Sequence, residues 1–236
     1  MQFSTPLTIG RLIRRYKRFL ADVELESGEV ITAHTANTGS MLGCCTPGSW
    51  VWLSRSQNPK RKYIYTWELV QIENDVLVGI NTGLANQLVK EAIVSGVIGE
   101  LSGYSAIRRE VPYGKERSRI DLLLEATGLR PDCYVEVKNV TTAQNKSAIF
   151  PDAVSARGVK HLRELVGMVE QGYRAVIFFC IQRGDASEFK PADSIDPVYG
   201  ETLRMAVASG VEALAYISEI TPSQIALTRG VPVMCD

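Results

Sequence analysis

The chain has 236 residues, 45% hydrophobic and 22% charged, a balance that excludes a disordered polypeptide and allows one large domain or two modest ones. Lys+Arg and Asp+Glu are 26 each, a formal net charge of zero, so nucleic-acid contact would have to come from local basic patches. Five cysteines without zinc spacing, and histidines only at 34 and 161, argue against a His-rich metal site and for a reducing, cytoplasmic compartment.

From the N-terminus, the residues after Met1 lack the apolar core of a signal peptide. Short strands follow: Leu12-Ile13, residues 19–25, 30–34, 50–53, 62–72 and 76–80, rich in β-branched and aromatic side chains. Ser27-Gly28, Thr38-Gly39, Pro47-Gly48 and Asn58-Pro59 punctuate them. Strands at roughly ten-residue spacing predict a small β-barrel or sandwich, and an OB-type barrel fits the length. From Asn81 the period changes: Leu84, Leu88, Ala92 and Val89, Ile93, Val97 recur at helical spacing, with Gly99 as a stop.

Three strands are expected next, over 105–111, 119–126 and 133–140. A helix over 156–171, a buried strand over 174–182, a helix over 198–209 and a strand over 211–217 complete the pattern. This order predicts an α/β (α+β) two-domain chain: residues 1–80 a small barrel, residues 81–236 a mixed sheet flanked by helices. The longest apolar run, 175–181, is far shorter than the roughly 20 residues that span a bilayer, so no membrane partner is expected.

The chemistry concentrates in two strands. Asp121 lies inside Arg119-Ile120-Asp121-Leu122-Leu123-Leu124, and Glu136 and Lys138 lie inside Cys133-Tyr134-Val135-Glu136-Val137-Lys138. Charges among aliphatic residues cost several kcal/mol unless paired or metal-bound. Glu136 and Lys138 share a strand face, and antiparallel pairing would bring Asp121 to them. Two carboxylates suit a hard cation such as Mg²⁺ (or Mn²⁺), with Lys138 orienting water or stabilising phosphoryl charge. Glu91, on the preceding helix, is a candidate third metal ligand. Against this stand a surface Glu136–Lys138 pair, a turn-proximal Asp121, and an exposed Glu91 paired with Lys90. His161 reads as a helix-surface or capping residue.

Two basic clusters interleave with aromatics. One holds Arg11, Arg14, Arg15, Lys17 and Arg18 with Tyr16 and Phe19, and is expected to precede the first long strand. The other is Lys60-Arg61-Lys62-Tyr63-Ile64-Tyr65-Thr66-Trp67. Arg15, Lys17, Arg18, Lys60, Arg61, Lys62 and Tyr63 are the candidate nucleic-acid residues, since cations meet phosphates and aromatics stack on bases. A solvated strand edge with Tyr and Trp facing the core is the alternative.

Several segments resemble one family, the sugar fermentation stimulation protein A (SfsA) family. They are Arg15-Tyr16-Lys17-Arg18-Phe19, Asn37-Thr38-Gly39-Ser40-Met41, Arg61-Lys62-Tyr63, Glu116-Arg117-Ser118-Arg119-Ile120-Asp121 and Tyr134-Val135-Glu136-Val137-Lys138-Asn139-Val140-Thr141, continuing through Phe150-Pro151-Asp152-Ala153-Val154, Arg157-Gly158-Val159-Lys160-His161-Leu162 and Ala175-Val176-Ile177-Phe178-Phe179. The resemblance spans essentially the whole chain. It implies an N-terminal OB-fold, a C-terminal domain similar to the PD-(D/E)xK nuclease superfamily, DNA binding and a link to regulation of sugar (maltose) metabolism, and the basic and aromatic clusters read that DNA binding as non-specific. The superfamily's two acids and lysine map onto Asp121, Glu136 and Lys138, although no Pro precedes Asp121. Three functions stay open: a metal-dependent DNA nuclease, a non-catalytic DNA-binding regulator that keeps the nuclease fold, and an RNA- or nucleotide-processing enzyme. A homodimer is open as well.

Overall fold

In the computed structural model, which describes residues 1–235, six strands open the chain. They are β1 (Thr8–Tyr16), β2 (Leu20–Leu25), β3 (Val30–His34), β4 (Trp50–Arg55), β5 (Tyr65–Gln71) and β6 (Leu77–Gly79). They pair in the order β3-β2-β1-β4-β5-β6, and a parallel contact between β3 and β5 closes the first five into a barrel. Leu12, Val23, Val51, Leu53, Trp67 and Val70 fill it. Each such aliphatic side chain, fully buried, contributes about 1.5–3 kcal/mol. The arginines from Arg11 to Arg15 lie inside β1 rather than ahead of it, because the bulge between Leu12 and Arg14 lets Leu12 face the core while Arg11 and Arg14 face water.

The chain then enters α1 (Ala85–Val94), which ends at Gly96 (φ +78°) rather than at Gly99, the start of a short 3₁₀ turn. Strands β7 (Ala106–Tyr113), β8 (Ser118–Glu125) and β9 (Cys133–Val140) follow. Next come β10 (Ala143–Gln144), β11 (Ser147–Phe150), α2 (Ala156–Glu170), β12 (Arg174–Ile181) and β13 (Glu188–Pro191). The last elements are α3 (Pro197–Ala208), β14 (Glu212–Thr221) and β15 (Gln224–Val231). The main sheet runs β15-β14-β12-β9-β8-β7, parallel through its centre and antiparallel at its margins. A small sheet, β10-β11-β13, sits beside it.

Helix α1 covers one face of the main sheet, with Leu88 and Val89 against Leu122, Val135 and Phe178. Helices α2 and α3 cover the other, with Leu162, Leu165 and Leu203 against Ile120, Ile177 and Phe179. Residues two apart on a strand normally share a face. Ile120 and Leu122 do not: the first packs on the α2 side and the second on the α1 side. The reversal is centred on Asp121. Opposite it, Glu110 takes a left-handed φ of +54°, and the β7–β8 register skips the Glu110–Asp121 pair. The β8–β9 ladder also ends at Leu122↔Val135, so β8 splays from β9 just where the acid stands.

The β7–β8 turn is fixed from α2. Glu164 accepts the backbone N–H groups of Lys115 (2.9 Å) and Glu116 (2.6 Å). Gly114, at φ +69°, leaves room for that carboxylate, since a Cβ there would lie 1.3 Å from Glu164 Oε2.

Candidate active site

The splay gives Asp121 a place between strands. Its Oδ2 accepts the Val137 N–H at 2.8 Å, the donor that a further β8 residue would otherwise have taken. Its Oδ1 accepts Asn86 Nδ2 at 2.8 Å from the first turn of α1. Burial and the neighbouring Glu136 charge push the Asp121 carboxyl up to about 6, against the pull of Val137, Asn86 and Lys138.

Glu136 is 2% exposed and projects from β9 toward α2. Its Oε1 receives Lys138 Nζ at 2.7 Å and contacts His161 Nδ1. Burial would raise this carboxyl, but Lys138 and His161 together outweigh it and hold Glu136 below the usual carboxylate range. Its Oε2 is buried without a hydrogen-bond partner. The hydroxyls of Tyr113 and Tyr199 are likewise buried and unpartnered. Burial raises both phenols, and the Glu136 charge is the second cause in each.

Glu136 and Lys138 are in direct contact and their charges act on Asp121, and the surface-pair reading of Glu136–Lys138 fails because the Glu136 side chain is buried and that of Lys138 is only 11% exposed. Glu91, expected as a third ligand, does not join them. Its carboxylate is 40% exposed and takes the Met1 ammonium at 2.9 Å and Gln87 Nε2 at 2.8 Å. Five residues separate it from Asn86, about 140° around the helix, so only one of the two can face Asp121. His161 differs from its expectation in the opposite sense: it is 5% exposed and touches both Glu136 and Lys138. Its place on the buried stripe of α2 with Leu162, Leu165 and Met168 is the signal that a 3.6-residue reading of the helix carries.

Among the described residues no three His, Cys, Asp or Glu side chains cluster as a metal-binding group. Two carboxylates are the side-chain donors on offer. A buried and a half-buried acid with one oxygen unpartnered fit a hard divalent cation, which takes carboxylate, carbonyl and water oxygens and keeps several waters.

Strand β3 stands between the barrel's two basic loops. Its His34 pairs with Leu20, which follows the β1–β2 tip (Lys17, Arg18, Phe19), and with Thr66, which follows the β4–β5 loop (Lys60, Arg61, Lys62, Tyr63), and the two loops leave β3 in opposite directions. Lys17, Lys60 and Lys62 are exposed there, as is Phe19, and Lys62 sits 5.4 Å over the Tyr63 ring. Arg61 donates to Thr66 Oγ1 at 3.1 Å. Trp67, in contrast, is core.

Arg15 and Arg18 are engaged. Arg15 Nη2 donates to the carbonyls of Arg18, Asn37 and Gly39, and Arg18 Nη2 to that of Thr38 at 3.0 Å. These bonds fix residues 37–41, whose Ser40 Oγ and Met41 N–H reach Asp152 O (2.7 Å) and Asp152 Oδ2 (2.9 Å) across the domain junction. A crevice of about 210 Å³ lies there, lined by Asn37, Thr38, Asn139 and Thr141, one residue beyond Lys138 along β9. The outer face of β2 is acidic, by contrast. Asp22 and Glu24 stand on it, with Asp22 holding Arg14, Tyr16 and Thr32.

Residues 13–80 match the family described as SfsA N-terminal OB domain, and residues 83–224 match the Sugar fermentation stimulation protein RE domain. The chain belongs to the sugar fermentation stimulation protein family. Relatives in that family include the homolog from Geobacter metallireducens, 59% identical over 234 residues, which covers 99% of this chain and all of the relative. The homolog from Alkalilimnicola ehrlichii is 54% identical over 237 residues and covers both chains fully. Among solved structures, Pyrococcus furiosus SfsA in complex with Ca²⁺ is similar with a TM-score of 0.88 and 29% identity, over 99% of this chain and 98% of that one. Among the described residues, no helix is long and apolar enough to cross a membrane.

Proposed function

We propose that this family member is a Mg²⁺- or Mn²⁺-dependent phosphodiesterase acting on DNA, residues 1–80 gripping the nucleic acid and residues 81–236 cutting it. One observation carries the reading: Glu136 Oε2 is buried without a partner, and a second, half-buried carboxylate, Asp121, is close enough to feel its charge. A buried unpaired anionic oxygen is costly, and a cation is the partner that removes the cost. Asp121 and Glu136 would hold it. When bound, the ion supplies Lewis-acid polarisation of the scissile phosphate and a water of lowered pKa. The Ca²⁺ in the Pyrococcus relative supports a site for hard divalent cations.

The protein's own groups do the rest. Lys138 holds a positive charge at the mouth of the site, where it stabilises negative charge developing on a phosphoryl group. Val137 N–H and Asn86 fix the Asp121 carboxylate, so it needs no rearrangement to bind. Lys17, Lys60 and Lys62 neutralise phosphates, while Phe19 and Tyr63 offer stacking surfaces, a combination without sequence readout. We place the family's link to sugar fermentation at this DNA contact. We also assign the protein to the cytoplasm, in keeping with five cysteines whose sequence positions carry no zinc or disulfide framework.

Purified protein incubated with linear, nicked and single-stranded DNA in Mg²⁺ or Mn²⁺, beside an EDTA control and the Asp121→Ala variant, tests the proposal. Cleavage that needs both the metal and Asp121 is expected. An intact substrate whose gel shift persists would leave instead a DNA-binding regulator that keeps the fold without turnover.

A further inference from the structure

We infer that His161 is a positioning residue that selects which oxygen of Glu136 binds the metal ion, an inference that rests on the proposed metal-dependent function. Arg157 Nε, which can only donate, faces His161 Nε2 at 3.3 Å one turn along α2. Nε2 must then be the accepting nitrogen, which places the imidazole hydrogen on Nδ1. That nitrogen lies against Glu136 Oε1 and donates to it.

Lys138 Nζ donates to the same oxygen at 2.7 Å. Its 3.1 Å approach to His161 Nδ1 is therefore two donors converging on one acceptor, not a bond between them. Both donors thus sit on Oε1, and Oε2 is left bare. The imidazole is 5% exposed and lies among Leu162, Leu165 and Met168 of the same helix, so its ring cannot swing away without opening the core. Such an outer contact fixes the rotation of a ligating carboxylate, and its loss typically weakens metal binding about 10–100-fold.

The test uses the full chain and Ca²⁺, followed by calorimetric titration. Asn places its Nδ2 near the position of the histidine Nδ1, whereas Leu fills the space without a donor. His161→Leu is expected to bind Ca²⁺ about 10–100-fold more weakly, and His161→Asn to return to within about threefold of the parent. A role in packing alone predicts the reverse order, because Leu is the better core residue.

Ca²⁺ affinity unchanged in His161→Leu, or Asn no better than Leu, overturns the inference while the metal site itself stands. If the parent binds no Ca²⁺, or Asp121→Asn binds it equally well, the proposed function fails and the inference with it. Should His161→Leu not fold, His161→Gln carries the test, because its amide falls near the histidine Nε2 and not Nδ1. Ca²⁺ binding in that variant is expected to be about 10–100-fold weaker than in the parent. Unchanged affinity in that variant overturns the inference too.

Discussion

The Asp121 carboxylate accepts the Val137 backbone N–H at 2.8 Å, so a side chain stands in the ladder position of a missing strand residue. The side-chain alternation of β8 reverses there, with Ile120 and Leu122 on opposite faces of the sheet, and the β8–β9 ladder stops one residue short of the acid. A carboxylate so placed is rigid and poorly hydrated, and its charge works against folding until a cation arrives.

That cost has a pH signature. The folded-state Asp121 carboxyl titrates at about 6, and the unfolded one near the ordinary value of 3.8. Between those values the folded protein binds the extra proton, so metal-free stability falls as pH rises through roughly 4 to 6. Two units correspond to about 3 kcal/mol, and Asn at this position gives up about 1 kcal/mol in one lost hydrogen bond. Asp121→Asn is therefore expected to stabilise the metal-free protein by about 2 kcal/mol at pH 7.5 and not at pH 4. Urea titrations at the two pH values, in EDTA, measure the difference. Saturating Ca²⁺ should reverse the order by stabilising only the parent.

Gly114 is predicted to tolerate no side chain. Ala there must adopt φ +69° and occupy the space of Glu164 Oε2, which then releases two backbone donors. A loss of about 3 kcal/mol or more is expected from Gly114→Ala in chemical denaturation. A loss below about 1 kcal/mol would mean that the turn relaxes and Glu164 is not its anchor.

The loop cations should reveal themselves through salt. Replacing Lys17, Lys60 and Lys62 by Ala should lower the slope of log affinity against log salt by about 1 per cation. Charge-neutralising Glu24 on the β2 face should leave the slope alone. Fluorescence anisotropy of labelled DNA across a salt series measures both. Arg15 is unsuitable for this test, because its guanidinium holds the 37–41 loop and Ala there would disturb the domain junction.

The parts of this arrangement that local pattern encodes were legible in the sequence. Strand β9 is a run of apolar residues broken by Glu136 and Lys138 on one face and by Asn139 near its end, and its bounds follow directly. Helix α2 likewise announces itself by period. Strands β10, β11 and β13 span only two to four residues, too short for alternation to register, and β13 is defined by its pairing with β11 some 41 positions away.

Glu91 misleads because helix phase, not proximity in sequence, decides which α1 side chain meets Asp121, and Asn86 has that phase. His161 is hidden for a related reason. A single histidine among Arg157, Lys160 and Arg163 looks solvated until its register with Leu162 and Leu165 places it inward. The Gly114–Glu164 contact spans 50 positions and leaves no local trace.

The central claim is that the two acids and Lys138 cut phosphodiester bonds, and a single-turnover cleavage assay on end-labelled DNA tests it most directly. Parent and Lys138→Ala are compared at Mg²⁺ concentrations giving equal thermal stabilisation. We predict EDTA-sensitive cleavage by the parent and a rate lower by about 10²–10³-fold in the variant, the usual cost of losing one charge-stabilising donor. Equal rates in the two proteins, or no cleavage by the parent above the EDTA control, would contradict the account.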